Sequence, residues 1–244
     1  MRSARAALIF LTRLPAGRLQ DGDFALAPGW FGLVGLLVGF VQAGAFALGA
    51  AIWGAPLGAL AAIAAGILIT GALHEDGLAD TFDGLGGGHD AERALTIMRD
   101  SRIGSYGALA LGLVLAALAL ALIALGPAHA PAALIAGAAL SRVGLAVMLR
   151  HGRYLRAHGA GTGLTGPQGM AGTLASLAAV LLALAIGSAV LGLSVWAGVA
   201  GCLLGAGIIW AWAQRRLGGV SGDILGAAQQ FGMLGFVLGV GAWP

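Results

Sequence analysis

The sequence predicts an all-α, polytopic integral membrane protein: a helical bundle of six to seven transmembrane helices, one domain over residues 1–244, with its charged loops on the cytoplasmic face. Three observations carry this. Only 9% of the residues are charged and 59% are hydrophobic, against about 25% charged in soluble domains, so the chain cannot cover a water-facing surface. Residues 24–73, 103–141 and 172–213 contain no Asp, Glu, Lys or Arg, and each run exceeds the ~20 residues that one span needs. The chain has 44 glycines, and the pairs Gly35/Gly39, Gly201/Gly205 and Gly235/Gly239 have the small-xxx-small spacing that lets helices approach closely in lipid.

The elements follow in order. The N-terminal apolar stretch is interrupted by Arg13 and lacks a cleavage site, so it is not read as a signal peptide. At ~1.5 Å per residue the run 24–73 would be about 75 Å long, over twice the ~30 Å hydrocarbon core, and must fold back. Gly54-Ala55-Pro56 is the turn, giving helices near 30–53 and 57–73, with Trp30 and Trp53 at interface positions. The second run breaks at Gly126 to Pro131 into helices near 106–125 and 131–149. A basic, glycine-rich loop with Arg150, Arg153 and Arg156 follows. The third run breaks near 192–194. Beyond Arg215, Arg216 and Asp223, a last apolar segment at 224–243 either spans the membrane or dips into it.

Three hairpins thus leave from and return to one face. That face holds every charged residue except Arg142, which lies inside the fourth helix. All thirteen cations are Arg, and the positive-inside rule makes this face cytoplasmic. The cations serve as topology anchors, so the net charge of +3 implies no nucleic-acid partner. The single cysteine, Cys202, excludes a disulfide framework and a cysteine metal cluster.

Seven of the ten acidic residues lie within 74–107, HEDGLADTFDGLGGGHDAERALTIMRDSRIGSYG. Asp76, Asp80 and Asp83 stand at i, i+4 and i+7, one face of a helix, with neighbouring Cβ atoms about 5–6 Å apart. Such carboxylates repel unless a cation sits among them, and all-oxygen ligands favour Mg²⁺, Mn²⁺ or Ca²⁺. Mg²⁺ is usually shared between carboxylates and substrate phosphates, so a phosphate or diphosphate substrate is expected. Gly77 and Gly84 weaken the helix, which argues against a purely stabilising role.

Arg99 and Arg102, at i and i+3 around Asp100 and Ser101, match phosphate oxygens with their guanidinium forks; topology anchoring is the plainer alternative. Arg142 is costly in a span and is expected to neutralise carboxylates or hold phosphate, or else to snorkel. Asp223 is a metal ligand or the N-cap of the last helix, with Ser221 competing for the cap. His74 adjoins the carboxylates as a base or ligand, or merely packs. GAGTGLTG at residues 159–166 lacks the Lys and flanking strand of a Walker loop and is read as a plain loop.

HEDGLADTFDG followed by RDSRIGSYG resembles the signature of the cobalamin synthase (adenosylcobinamide-GDP ribazoletransferase) family. FLTRLP at residues 10–15, GLVGLLVG at 32–39, Ser141-Arg142 and GGVSGDILGA at 218–227 extend the likeness along the chain. The resemblance implies a membrane transferase of late vitamin B12 assembly. It would join adenosylcobinamide-GDP to α-ribazole or its 5′-phosphate in the bacterial inner membrane, release GMP and need Mg²⁺. Homo-oligomerisation stays open.

Carried onto this chain, Asp76, Asp80, Asp83 and Asp223 are the expected metal ligands. Arg99, Ser101, Arg102 and Arg142 are expected to bind phosphate. Asp83, Asp100 and His74 are the candidate catalytic groups. Two departures stand out: Gln229 and Gln230 occupy the place where the family often has an acid, and Ser221 replaces a frequent Thr. A CDP-alcohol phosphotransferase fits less well, because Asp76-Gly77 is followed by Leu-Ala-Asp where that family has an Ala-Arg pair. A cation-coupled transporter needs carboxylates in mid-span, which the uncharged runs do not supply.

Overall fold

The computed structural model describes residues 2–18, 22–155, 162–165 and 169–242. Arg156, Trp243 and residues 159–161 and 166 of the glycine-rich loop lie outside them; Thr162–Leu164 forms a 3-10 turn. The described residues are almost entirely helical: α1 (Arg2–Leu11), α2 (Phe31–Trp53), α3 (Ala55–Thr70), α4 (Leu73–Gly87), α5 (Ala91–Ile97), α6 (Ser105–His151), α7 (Met170–Leu191), α8 (Ser194–Leu217) and α9 (Gly222–Gly241).

The breaks fall where backbone chemistry puts them. Gly54 (φ 86°) ends α2, and Pro56 opens α3 where a missing N–H costs nothing. Gly126 (φ 66°) interrupts α6, which at 47 residues is about 70 Å long and so makes two passes. Gly192 (φ 61°) parts α7 from α8. Five helices are individually long and apolar enough to cross a membrane, and α3 with α4 forms a bent sixth candidate. Dividing α6 at Gly126 makes seven passes.

The three glycine pairs sit at helix contacts. Gly35 and Gly39 of α2 press on the backbone of Ala138 and Ile135 in the second half of α6. Gly201 and Gly205 of α8 face Gly235 and Phe231 of α9, backbone against backbone. In lipid there is no hydrophobic drive between helices, so such close dispersion contacts hold them together. The last apolar segment is a full span. Gly198 of α8 meets Val240, and Gly241 lies beside Leu125 at the uncharged end of the bundle.

One bend departs from a simple hairpin. Helix α3 ends at Gly71 (φ 66°) and Ala72 (φ 59°), both left-handed, and α4 leaves at 91°. An alanine in that conformation costs about 1–2 kcal/mol, so surrounding contacts must enforce the turn. The acidic helix therefore lies across the charged end of the bundle instead of extending α3.

Topology is testable. With Cys202→Ala as background, cysteine at Ala55 or Ala128 should react with a membrane-impermeant thiol reagent in intact cells. Labelling only after lysis would place those turns on the inner side and overturn the orientation.

Candidate active site

Helix α4 turns Leu78 and Leu85 into the core, while Phe82 stacks on Phe231 of α9 (5.6 Å) and meets Trp212 of α8 edge-on (5.3 Å). Asp76, Asp80 and Asp83 occupy the other face, but their surroundings differ. Asp76 is exposed, Asp80 half-buried and Asp83 only 8% exposed. The first turn of α6 covers Asp83: Gly104 N–H donates to Oδ2 (2.7 Å) and Gly107 N–H to Oδ1 (2.8 Å). Its carboxylate thus caps α6 across 21 and 24 residues, where the helix dipole also favours a negative charge. A Cβ at either Gly104 or Gly107 would run into that carboxylate. The DTFDG and RDSRIGSYG stretches are therefore two halves of one contact. Each oxygen accepts one backbone donor and keeps a further lone pair, so Asp83 ties α4 to α6 and stays among the candidate metal ligands.

Helix α9 also packs closely on α4 at its first turns. A Cβ on Gly77 would lie 2.8 Å from the Asp223 carbonyl, and one on Gly226 3.1 Å from that of His74. This approach sets the first turn of α9 against the α4 turn that carries Asp76 and Asp80. Ser221, not Asp223, is the N-cap of α9, accepting from Ile224 N–H (3.4 Å) and donating to Asp223 Oδ2 (3.2 Å). Two helix N-termini, of α6 and α9, thus face the acidic helix.

The connection from α5 to α6 is exposed. Arg102 forks onto Asp100, Nη2 to Oδ2 at 2.7 Å and Nε to Oδ1 at 3.1 Å, and its backbone N–H joins in at 3.1 Å. These bonds hold the Asp100 carboxyl down to about 2. A carboxylate so weakly basic is a poor proton acceptor. Its place is to aim Arg102. Arg99 and Ser101 are exposed beside it.

Two expected residues lie elsewhere. His74 is 2% exposed and neither ring nitrogen has a hydrogen-bond partner. Arg142 is 3% exposed and turned into the bundle, with Nη1 donating to Ala138 O (3.2 Å). It lines a cavity of about 20 Å³ together with Glu75, Gln229 and Gln230.

Residues 3–241 match the family described as cobalamin-5-phosphate synthase. The chain belongs to that family. It is 41% identical to an adenosylcobinamide-GDP ribazoletransferase of Klebsiella pneumoniae, covering 98% of both chains. One of Shewanella frigidimarina is 41% identical over 92% of this chain and 88% of its own. Another, of Rhizobium etli, is 43% identical over 92% and 90%. No solved structure matches.

Several residues of this family member escaped the sequence reading. Gln230 Nε2 donates to Glu75 Oε1 (2.8 Å), Gln229 Nε2 to Ser141 Oγ (3.1 Å), and Arg216 Nη2 to Gly88 O (2.5 Å). The polar residues stood out in apolar surroundings, but nothing local named their distant partners.

The Asp83 tether predicts a stability effect. Asp83→Asn turns an amide N–H toward a backbone donor and should cost about 2–3 kcal/mol, roughly 5–10 °C in melting temperature. Gly107→Ala should cost more, since its Cβ would also meet Ala79 O at 2.7 Å. Unchanged melting of both variants in detergent would exclude the tether.

Proposed function

We propose that this chain is a magnesium-dependent adenosylcobinamide-GDP ribazoletransferase of the bacterial cytoplasmic membrane. It joins adenosylcobinamide-GDP to α-ribazole or its 5′-phosphate, gives adenosylcobalamin or its 5′-phosphate, and releases GMP at the cytoplasmic face. The likeness to relatives of that name over nearly the whole chain is the observation that supports it most. The placement of the acidic helix at the charged end of the bundle agrees with it.

Among the described residues no group of three His, Cys, Asp or Glu is arranged to hold a metal ion. Asp76, Asp80 and Asp83 are the candidate donors, Asp83 also accepting from α6. That set fits Mg²⁺, which typically takes one or two carboxylates and completes its shell with water and phosphate oxygens. When bound, Mg²⁺ would offset charge on the diphosphate. Asp223, set against Gly77, borders the same site.

The protein's own groups do the rest. One aspartate of the acidic helix, or His74, is the candidate base for the proton of the attacking ribazole hydroxyl. Arg102, aimed by Asp100, and Arg99 stabilise negative charge on the departing GMP. Catalysis of this kind is mostly positioning and electrostatics.

Purified protein with adenosylcobinamide-GDP, α-ribazole 5′-phosphate and Mg²⁺ should release GMP. Asp80→Asn should lower that rate by roughly a hundredfold or more, about 2.7 kcal/mol, while melting stays near that of the parent. Near-parental turnover of Asp80→Asn at saturating Mg²⁺ would refute the ligand assignment.

The arginines have a separate test. Lys keeps the charge of Arg99 or Arg102 but loses the planar fork. Each Arg→Lys change should lower kcat by about tenfold, 1.4 kcal/mol, more than it alters KM. Arg5→Lys is the silent control. Equal behaviour of all three variants would leave Arg99 and Arg102 as topology anchors.

A further inference from the structure

Behind the acidic helix lies a polar cavity whose composition is foreign to its depth. Gln42 of α2, Thr70 of α3, Glu75 of α4, Arg142 of α6 and Gln229 and Gln230 of α9 converge on it, among Leu115, Leu118 and Met233. Five helices thus bring polar side chains into the interior of a bundle that is otherwise apolar. Gly66 makes room, because a Cβ there would collide with the Gln42 amide.

The side chains of Glu75, Arg142, Gln229 and Gln230 make three hydrogen bonds around the cavity, and three of their buried atoms are left over. Gln230 satisfies Glu75 Oε1, Ser141 takes the Gln229 amide, and Ala138 O takes Arg142 Nη1. Glu75 Oε2, Gln229 Oε1 and Arg142 Nε are buried and have no protein partner. Two of these are acceptors and one is a donor. A water molecule offers two donors and accepts, which is the same complement of hydrogen bonds. The cavity measures about 20 Å³. A water needs ~10–15 Å³ by the same measure and usually makes about three hydrogen bonds. An unpaired buried charge would cost several kcal/mol, so a bridge between these two is strongly favoured.

We infer that this cavity is a buried water site through which Arg142 and Gln229 hold Glu75, making Glu75, Arg142 and Gln229 positioning residues for the acidic helix. Glu75 is in the first turn of α4, directly after the left-handed break at Gly71 and Ala72 and one residue before Asp76. Gln230 and the water-bridged Arg142 fix that turn to α9 and to α6 at once. The 91° departure of α4 is thereby held from its buried side, while Asp76 and Asp80 face outward. The effect on turnover rests on the transferase reading above; the water site does not.

Three measurements on the full chain test this. A structure at resolution sufficient for waters should show a density peak within about 3.2 Å of Glu75 Oε2, Gln229 Oε1 and Arg142 Nε. A dry cavity, or a direct Arg142–Glu75 ion pair in its place, would overturn the site.

Melting in detergent gives the second. Arg142→Gln should lower the melting temperature by roughly 10 °C, because Glu75 is left charged and unpaired. Adding Glu75→Gln should restore at least half of that loss. Simple addition of the two losses would refute the coupling.

The third is kinetic and uses the mildest change, Gln229→Met, which keeps volume and removes the acceptor. GMP release should fall by about tenfold in kcat, with KM for adenosylcobinamide-GDP changed by less than roughly twofold. Lower melting with unchanged kcat would reduce the cavity to a structural role and overturn the positioning claim. If Arg142→Gln does not fold, the density peak and Gln229→Met still decide. Failure of the parent protein to release GMP would strike the transferase reading and leave the density and melting results standing.

Discussion

The carboxylate of Asp83 joins two regions that would otherwise be independent. It accepts from the backbone N–H groups of Gly104 and Gly107, and so binds the end of the acidic helix to the start of the next membrane pass. The first turn of any helix has N–H groups without intrahelical partners, and burying them uncapped is costly. Here the cap comes from another helix, and the two glycines leave space for it. The candidate site depends on this contact, because it ties α4 to the start of α6, directly after the Arg99–Arg102 turn.

The other end of α4 is fixed by close approach and by charge. Gly77 and Gly226 let the backbones of α4 and α9 meet, which brings Asp223 beside the acidic face. Glu75 and Gln230 bond across the same interface. The left-handed pair Gly71–Ala72 turns α4 across the bundle, at a cost that these contacts offset. An acidic helix placed this way presents Asp76 and Asp80 at the charged end while its Leu and Phe residues close the core.

Lipid as solvent explains why the polar groups are so economical. With few charges to spend, the chain commits Asp83 to capping, Asp100 to aiming Arg102, and Arg142 to the interior. Asp76 is exposed and Asp80 half-buried on the same face. Of the three aspartates at i, i+4 and i+7, Asp83 is the one that also ties α4 to α6.

How much of this was legible in the sequence follows from range. The passes, their breaks at Gly54, Gly126 and Gly192, the helix contacts of the glycine pairs and the segregation of charge were legible, because they rest on length, hydropathy and local backbone chemistry. The importance of residues 74–107 was legible for the same reason. Periodicity put Asp76, Asp80 and Asp83 on one face but could not say that the N-terminus of α6 covers its last turn. It could not pair Glu75 with Gln230 across 155 residues, bury His74, or turn Arg142 inward toward Glu75. Those are decided by which helix packs on which face. In lipid that choice depends on small differences in close packing and on finding partners for buried polar groups, and only the assembled bundle resolves it.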